Sequence, residues 1–403
     1  VLFTPAARYD DALVAGATGD RPKVLMLVTE DWFFWSHRLA AARAARDAGF
    51  EVVVATRVRE HGERIRAEGF GLRPLTWRRR GDGLLGGMRA LLAIARLYRA
   101  ERPDLVHHIA LKAIVFGALA LRLAFPFGRG APPRIAAVMG LGIVLGRTSE
   151  VGWRAQLLTL VLRLAARKGL VTVENRDDQA TLMGLGIDPA AITQVGGSGV
   201  NTNHYAALPE SPGDEIAVAL VARMLRSKGV LDAAAAVRRL RERGCPIRLL
   251  LAGAGDPDNR DTLGDDELRV LEAEPGITWL GRVADVREVW REAAIAVLPS
   301  TYGEGLPSAL LEAAACARPI VTTDMPGCRA AIRHGETGLL VSPHDVEELA
   351  AALGALAGDP KRRQAMGNAG RTLVEREFSE TAVAEQTIAL YRTALRERSA
   401  MAR

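Results

Sequence analysis

The stretch Pro299–Pro319, PSTYGEGLPSALLEAAACARP, joins an apolar strand pattern to an alanine-rich helix through a glycine-bearing loop. It carries two carboxylates eight residues apart, Glu304 on the loop and Glu312 two turns into the helix. A helix start offers unpaired backbone N–H groups with the helix dipole behind them, a setting that favours phosphates and sugar hydroxyls. Gly303 and Gly305 permit close approach of backbone to a ligand, and Leu306, Pro307 and Ser308 lie where those amides begin. A second stretch, Ala222–Gly229 (ARMLRSKG), sets Arg223 just beyond another strand and Lys228 just before another helix. Two cations so placed neutralise a diphosphate, both bound and as a leaving group. Each stretch alone also reads as solvated surface charge; together they outline a pocket for a diphosphate joined to a sugar.

Such residues need a scaffold that presents loops at strand ends, and the hydrophobic pattern supplies one. Short apolar runs suited to buried parallel strands occur at Val24–Thr29, Glu51–Thr56, Leu105–Ile109, Arg134–Val138 and Leu170–Val173, with Gly71–Leu75 as a weaker case. Helical stretches alternate with them, at His37–Ala48, Met88–Glu101, Lys112–Ala124, Gly152–Arg167 and Arg176–Met183. After a Pro/Gly/Ser stretch at Pro209–Gly213 the alternation restarts with Ile216–Ala222, Ile247–Ala252, Ile277–Leu280, Ile295–Pro299, Pro319–Thr322 and Gly338–Val341 as strands. A helix is expected over Leu306–Ala315, and two helices close the chain. The fold class is therefore α/β, with two Rossmann-like doubly wound domains facing across a cleft. The expected boundaries are a disordered leader at 1–21, a first domain at 22–208, a second at 209–375, and a terminal helix at 376–403 that crosses back.

Taken together, these motifs resemble the family 4 glycosyltransferases of the GT-B fold. The Glu-x7-Glu motif is Glu304 to Glu312, and the Arg-x4-Lys pair is Arg223 and Lys228. GSGVNTNHY at Gly197–Tyr205 is similar to a segment near the domain hinge, with Asn201 in place of the usual acid; GRVADV at Gly281–Val286 is similar to a loop that contacts the base. The resemblance implies that Glu304 and the amides after it hold a donor sugar, that Glu312 holds a ribose, and that Arg223 and Lys228 take the pyrophosphate. It adds Ser198, Gly199, Arg282 and Val283 to the donor side. It also implies a retaining, metal-independent transfer from a nucleotide sugar, with UDP the expected nucleotide, and no separate cofactor. Asp256-Pro257-Asp258 has the form of a metal-binding pair, but it follows a Gly-rich turn and reads as a loop.

The first half matches less tightly. Thr29–Ala42 (TEDWFFWSHRLAAA) replaces the family's glycine-rich first loop and resembles a bacterial subgroup that builds polysaccharides on lipid-linked carriers. Phe33, Phe34 and Trp35 in a loop beside His37 and Arg38 suit an amphiphilic acceptor with a diphosphate head, or else form a hydrophobic plug over the sheet end. His107 and His108 end a strand on the cleft side. In the family a histidine at this place contacts the donor sugar, and strand alternation lets only one face a cleft. His108 is favoured over His107, and a hydrogen-bonded core histidine is the alternative. Gly142 lies in a further strand-end loop, MGLGIVLG, on the acceptor side.

Composition bounds the setting. The net charge of +6 divides unevenly, about +10 over residues 1–200 and about −4 over the rest. A basic half suits a phosphorylated substrate or an anionic membrane surface; without interleaved aromatics it does not suit nucleic acid. Trp153–Lys168 reads either as a helix lying on such a surface or as one flanking the sheet. Three cysteines are too few for a disulfide framework, which favours a reducing cytoplasm, and no apolar run reaches membrane-spanning length. The expected place is the cytoplasm, or the cytoplasmic face of an inner membrane, with a lipid-linked saccharide as acceptor. Two other functions fit the same fold, an epimerase acting on UDP-sugars and a catalytically silent binding subunit.

Overall fold

A computed structural model of the chain describes residues 21–77, 83–141, 169–211, 213–257 and 259–401, together with Thr159, Leu160, Leu162, Arg163 and Ala166. Residues 1–20 of the expected leader, Gly142, Asp258 and most of Gly152–Lys168 lie outside the described residues.

The first sheet has seven strands: β1 Lys23–Glu30, β2 Glu51–Arg57, β3 Gly71–Pro74, β4 Leu105–Ile109, β5 Arg134–Ala137, β6 Leu170–Val173 and β7 Ile192–Gln194. They run parallel in the order β3-β2-β1-β4-β5-β6-β7. The apolar runs at 24–28 and 52–55 are central and covered on both faces, which is why they read as continuous rather than alternating. The helices joining them include α1 Asp31–His37, α2 Leu39–Asp47, α3 Gly62–Ala67, α4 Gly83–Glu101, α5 Leu111–Ala124 and α6 Arg176–Gly184. One face of the sheet packs on α2, with Phe34 and Phe50 among the buried side chains. The other packs on α4 and α5 through Trp77, Ile94 and Tyr98.

The second sheet has six strands: β8 Ile216–Val221, β9 Ile247–Ala252, β10 Ile277–Gly281, β11 Ile295–Leu298, β12 Ile320–Thr323 and β13 Gly338–Val341. Its order is β10-β9-β8-β11-β12-β13, again parallel throughout. Its helices are α7 Val230–Glu242, α8 Asp265–Glu272, α9 Val286–Glu292, α10 Ser308–Ala315, α11 Pro326–Ala331, α12 Val346–Ala357 and α13 Pro360–Glu377. The last helix, α14 Glu380–Met401, returns to the first sheet, where Val383, Leu390, Tyr391 and Ala394 join the cluster around Val24 and Phe50.

Strand order reverses between β1 and β4 in one sheet and between β8 and β11 in the other, and ligands of such sheets bind at the strand ends flanking that reversal. Lys228 follows β8 and Glu304 follows β11, so the second switch point lies between them.

Several local expectations are corrected. The segment after β1 is a helix of its own rather than a loop, and Arg38, with φ −130° and ψ −4°, breaks α1 from α2 where one helix was expected. The helix after Glu304 begins at Ser308, two residues later than expected, because Pro307 is extended at φ −68°, ψ 114°. Strand β7, three residues long, gives too little periodicity to be read. Three helices close the chain instead of two.

Candidate functional site

The turn carrying Lys228 sits tightly on the end of β11. Gly229 has φ +72°, and a Cβ there would lie 2.0 Å from the Pro299 carbonyl oxygen, so only glycine admits this approach. Ser227 N donates to Asp261 Oδ2 at 3.0 Å, which braces the turn from the opposite side. Lys228 Nζ consequently reaches Glu304 Oε2 in an ion pair, and Ser300 Oγ donates to Glu304 Oε1 at 2.5 Å. Arg223 pairs with Asp256 at 2.6 Å, its side chain half exposed. The acid of the DPD triplet is thus a counter-charge to the arginine; among the described residues no group of three or more His, Cys, Asp or Glu side chains could hold a metal ion.

These charges line a cleft with about 880 Å³ of empty space, open to solvent, between the strand ends of the two sheets. Arg223, Lys228, Glu304, Gly305, Leu306, Pro307 and Ser308 form one wall. Facing them are Phe33, His37, Met139, Glu174 and Ser198. The cleft therefore sets two cations and a carboxylate at the N-terminus of α10, opposite an aromatic and apolar rim. That arrangement can hold an anionic diphosphate and the polar group attached to it.

Other expected residues fall elsewhere. Phe34 is fully buried against Phe70, the rings edge to face at 6.0 Å. Trp35 turns to His61 and lies under the Arg64 guanidinium at 5.5 Å. The reason is helical geometry, since α1 can direct only one stripe of side chains to the cleft. That stripe is Phe33 and His37, stacked at 4.4 Å. Burial, with Arg38 adjacent, lowers the His37 pKa to about 4, so the ring meets the cleft uncharged.

His108 faces away from the cleft, against Gly117, with its Nε2 3.0 Å from the Tyr98 hydroxyl. His107 is 2.8 Å from the Tyr391 hydroxyl of α14, beneath the sheet end. Both rings are buried and held at about pKa 3 by desolvation, so neither lines the cleft and the favoured role for His108 is not supported. Gly199 serves the crossover: a Cβ there would lie 2.9 Å from Glu380 Cα, and Val200 and Ser379 form a parallel bridge beside it. Arg282 is exposed and Val283 packs on the second core; neither lines the cleft. Gly303 is buried beneath the loop. Gly305 admits Glu174 and Gly140 rather than a ligand, as a Cβ there would lie 2.2 Å from Glu174 Oε2.

Glu312 also lies apart from the cleft wall. Burial raises its carboxyl to about 7, with the Tyr205 hydroxyl and the Trp290 indole pulling the other way. A carboxylate poised near neutrality beside a phenol is suited to hydroxyl recognition, with its charge set by what binds.

One residue of the first domain, Glu174, was missed, and another, Arg38, falls elsewhere than expected. Glu174 follows β6 and its Oε2 accepts the N–H of Leu306 at 2.9 Å, across the cleft. Arg38, expected at an acceptor surface, is buried and stands 3.6 Å from Glu174 Oε1. Desolvation raises the Glu174 pKa, opposed by Arg38 and by the Leu306 N–H. The available signal was an acid between a strand and an Asn-capped helix: Asn175 accepts from Asp178 N at 2.7 Å, and Asp178 accepts from Leu141 N at 3.0 Å.

Two parallel α/β sheets, a cleft at their facing switch points and a basic pair at a helix N-terminus define the class: a two-domain transferase of the GT-B fold. Residues 23–175 match the model of the glycosyl transferase 4-like family, and residues 215–359 match that of glycosyl transferases group 1. The chain is a GT-B-fold glycosyltransferase related to these two families. It is 24% identical over 336 residues to the capsular polysaccharide biosynthesis glycosyltransferase CapM of Staphylococcus aureus, covering 79% of this chain and 84% of that one. Against the alpha-maltose-1-phosphate synthase of Mycolicibacterium smegmatis the identity is 36% over 186 residues, 43% of this chain and 47% of that one, so the chain spans about half the length of that relative. The crystal structure of Anabaena HepE in complex with UDP and glucose superposes with a TM-score of 0.74 at 18% identity, covering 92% of this chain and 99% of that one. Among the described residues no helix is long and apolar enough to cross a membrane.

Proposed function

We propose that the enzyme transfers a hexosyl or N-acetylhexosaminyl group from a UDP-sugar, with retention of configuration, to a saccharide on a lipid carrier in cell-surface polysaccharide synthesis. The observation that carries this reading is the Lys228–Glu304 pair beside Arg223 at the start of α10. Lys228 has three donors, so it can take a diphosphate oxygen while keeping Glu304 in place. Glu304 then meets the sugar, and the two cations stabilise the departing diphosphate, whose oxygen is the base available to the incoming hydroxyl. Glu312 is assigned to the ribose, and Ser198 to the sugar side. The UDP complex of HepE and the role of CapM in capsular polysaccharide support the donor and the pathway class.

The acceptor reading rests on Phe33 and His37, an uncharged aromatic stack opposite the cations. The same reading places the protein peripherally at the cytoplasmic face of a membrane, and exposed side chains of the first domain support the membrane contact. Leu85 and Met88 near the start of α4 and Phe127 beyond the end of α5 are exposed, Phe127 to 99%, and so are Arg89 and Arg96 of α4, Arg122 of α5 and Arg129 after it. Exposed apolar side chains on basic elements suit an anionic bilayer.

A thermal-shift screen of UDP-, GDP- and ADP-sugars tests the donor, because a ligand at a hundred times its Kd adds about 2.7 kcal/mol of stability. The expected result is a shift with a UDP-sugar; no shift with any of them removes the reading. The anomeric configuration of the product, measured by NMR, then tests retention. Sedimentation with anionic vesicles at low salt, lost at high salt, tests the membrane position.

A further inference from the structure

One peptide of the donor loop, Gly305–Leu306, is enclosed by loops from both domains. Glu174 Oε2 accepts its N–H at 2.9 Å from the first domain. Gly140, from the loop after β5, lies so close that a Cβ there would be 2.6 Å from Gly305 N. Gly327, at the start of α11, lies so close that a Cβ would be 1.6 Å from the Gly305 carbonyl oxygen. The loop bearing Gly140 is itself tied to α6 by the Leu141 N–H to Asp178 bond of 3.0 Å. Beside this contact Arg329 of α11 pairs with Asp177 of α6 at 2.9 Å, a second bond between the domains.

Glu174 is buried, with 6% of its surface exposed, and so is Arg38 behind it. Arg38 Nη1 donates to the Gly197 carbonyl at 3.0 Å, and its Nη2 approaches Met139 Sδ at 3.2 Å. A buried carboxylate is retained only where charge and hydrogen bonds compensate its desolvation. Here the compensation comes from Arg38 of its own domain and from a backbone amide of the other.

We propose that Glu174 is a positioning residue of the transfer reaction: held by Arg38, it fixes the Gly305–Leu306 peptide from across the cleft. Glu304 and the amides that follow then point at the donor sugar only when the domains are closed. This rests on the reading that the 303–308 loop holds the donor sugar. Glu174 bonds the loop backbone, whereas the cations assigned to the diphosphate stand on the second domain. Sugar transfer therefore depends on the contact, and nucleotide affinity does not.

Three variants test this, with UDP and UDP-glucose as probes. Glu174→Gln keeps a carbonyl oxygen for the Leu306 N–H. Glu174→Ala removes it but strands the Arg38 charge, so the double variant Arg38→Met/Glu174→Ala, which removes both charges, is measured beside it. In the folded double variant, acceptor-free turnover of UDP-glucose is expected to fall tenfold to a hundredfold in kcat, the scale of a small misplacement of reacting groups. Its KM and the UDP affinity are expected to stay within about threefold, and amide exchange at Leu306 is expected to accelerate. Glu174→Gln should recover most of the lost kcat. Wild-type kcat together with wild-type protection of Leu306 in the double variant overturns the positioning role. If the wild type binds UDP and that result is found, only the positioning role is lost. If the wild type neither binds UDP nor turns over UDP-glucose, the donor reading fails, and the proposal with it.

Discussion

The two walls of the cleft hold their charges in opposite ways. On the second-domain wall Arg223, its side chain half exposed, pairs with Asp256; an ion pair open to solvent on one side contributes about 1 kcal/mol or less and changes partner easily. Lys228 and Glu304 are more enclosed, yet both open onto the cleft. On the first-domain wall Arg38 and Glu174 are buried, and breaking such a pair from one side typically costs about 3–5 kcal/mol. One wall is built to exchange its partners for a ligand, and the other to keep its geometry. The same contrast recurs within α1, where Phe34 is core and Phe33, its neighbour, faces the cleft.

Substitutions can sharpen or break this contrast. The largest effect is expected within α1: Phe34→Ala should destabilise the fold by about 3–5 kcal/mol, the usual range for a buried aromatic. Phe33→Ala should cost much less stability and raise the acceptor KM. Equal losses from the two in urea unfolding would erase the distinction between plug and cleft. Next, Arg223→Ala and Lys228→Ala should each lower turnover roughly a hundredfold, about 3 kcal/mol of transition-state stabilisation, in a protein that stays folded. Full activity in both variants would remove the diphosphate from this wall.

Smaller effects follow. Tyr391→Phe deletes the hydroxyl that meets His107 and should cost about 1–2 kcal/mol of stability, read from the unfolding midpoint. No change there would mean that the Tyr391–His107 contact contributes nothing to holding α14 on the first sheet. Glu312 gives the mildest test. Its folded pKa is raised to about 7, so its neutral form favours the fold below the unfolded pKa near 4.5, and that contribution is lost as pH rises through 7. A ribose that donates to the carboxylate should reverse part of this loss. UDP-glucose, whose diphosphate does not titrate here, should therefore bind several-fold more tightly at pH 8 than at pH 6. Glu312→Gln should flatten the profile, and a flat wild-type profile would take the ribose away from Glu312.

Most strands were legible because parallel strands buried on both faces are uninterrupted apolar runs, as at Val24–Val28 and Val52–Ala55. The donor wall was legible for a local reason. Arg223 and Lys228 lie in one short loop, and Glu304 lies in the next loop across the switch point, so strand order alone brings them together. Side-chain direction in the first domain was not legible. Whether His107 or His108 faced the cleft depended on how far β4 runs before α5 begins; both proved to lie within the sheet. Phe34 and Trp35 turned away because the expected loop is a helix, whose phase the sequence did not reveal.

What the sequence determined by itself was the α/β alternation, the restart after Pro209, and the glycine and charge pattern that marks Arg223, Lys228 and Glu304. These are set by short-range rules: apolar runs, helix starts and tight turns. The tertiary structure alone decided that Glu174, 132 residues before Leu306 in the chain, bonds that residue's amide, and that Gly305 exists to admit it. The physical reason is the close approach of two domains. A single peptide caught between them takes its partners from loops far apart in sequence, and no local pattern records that distance.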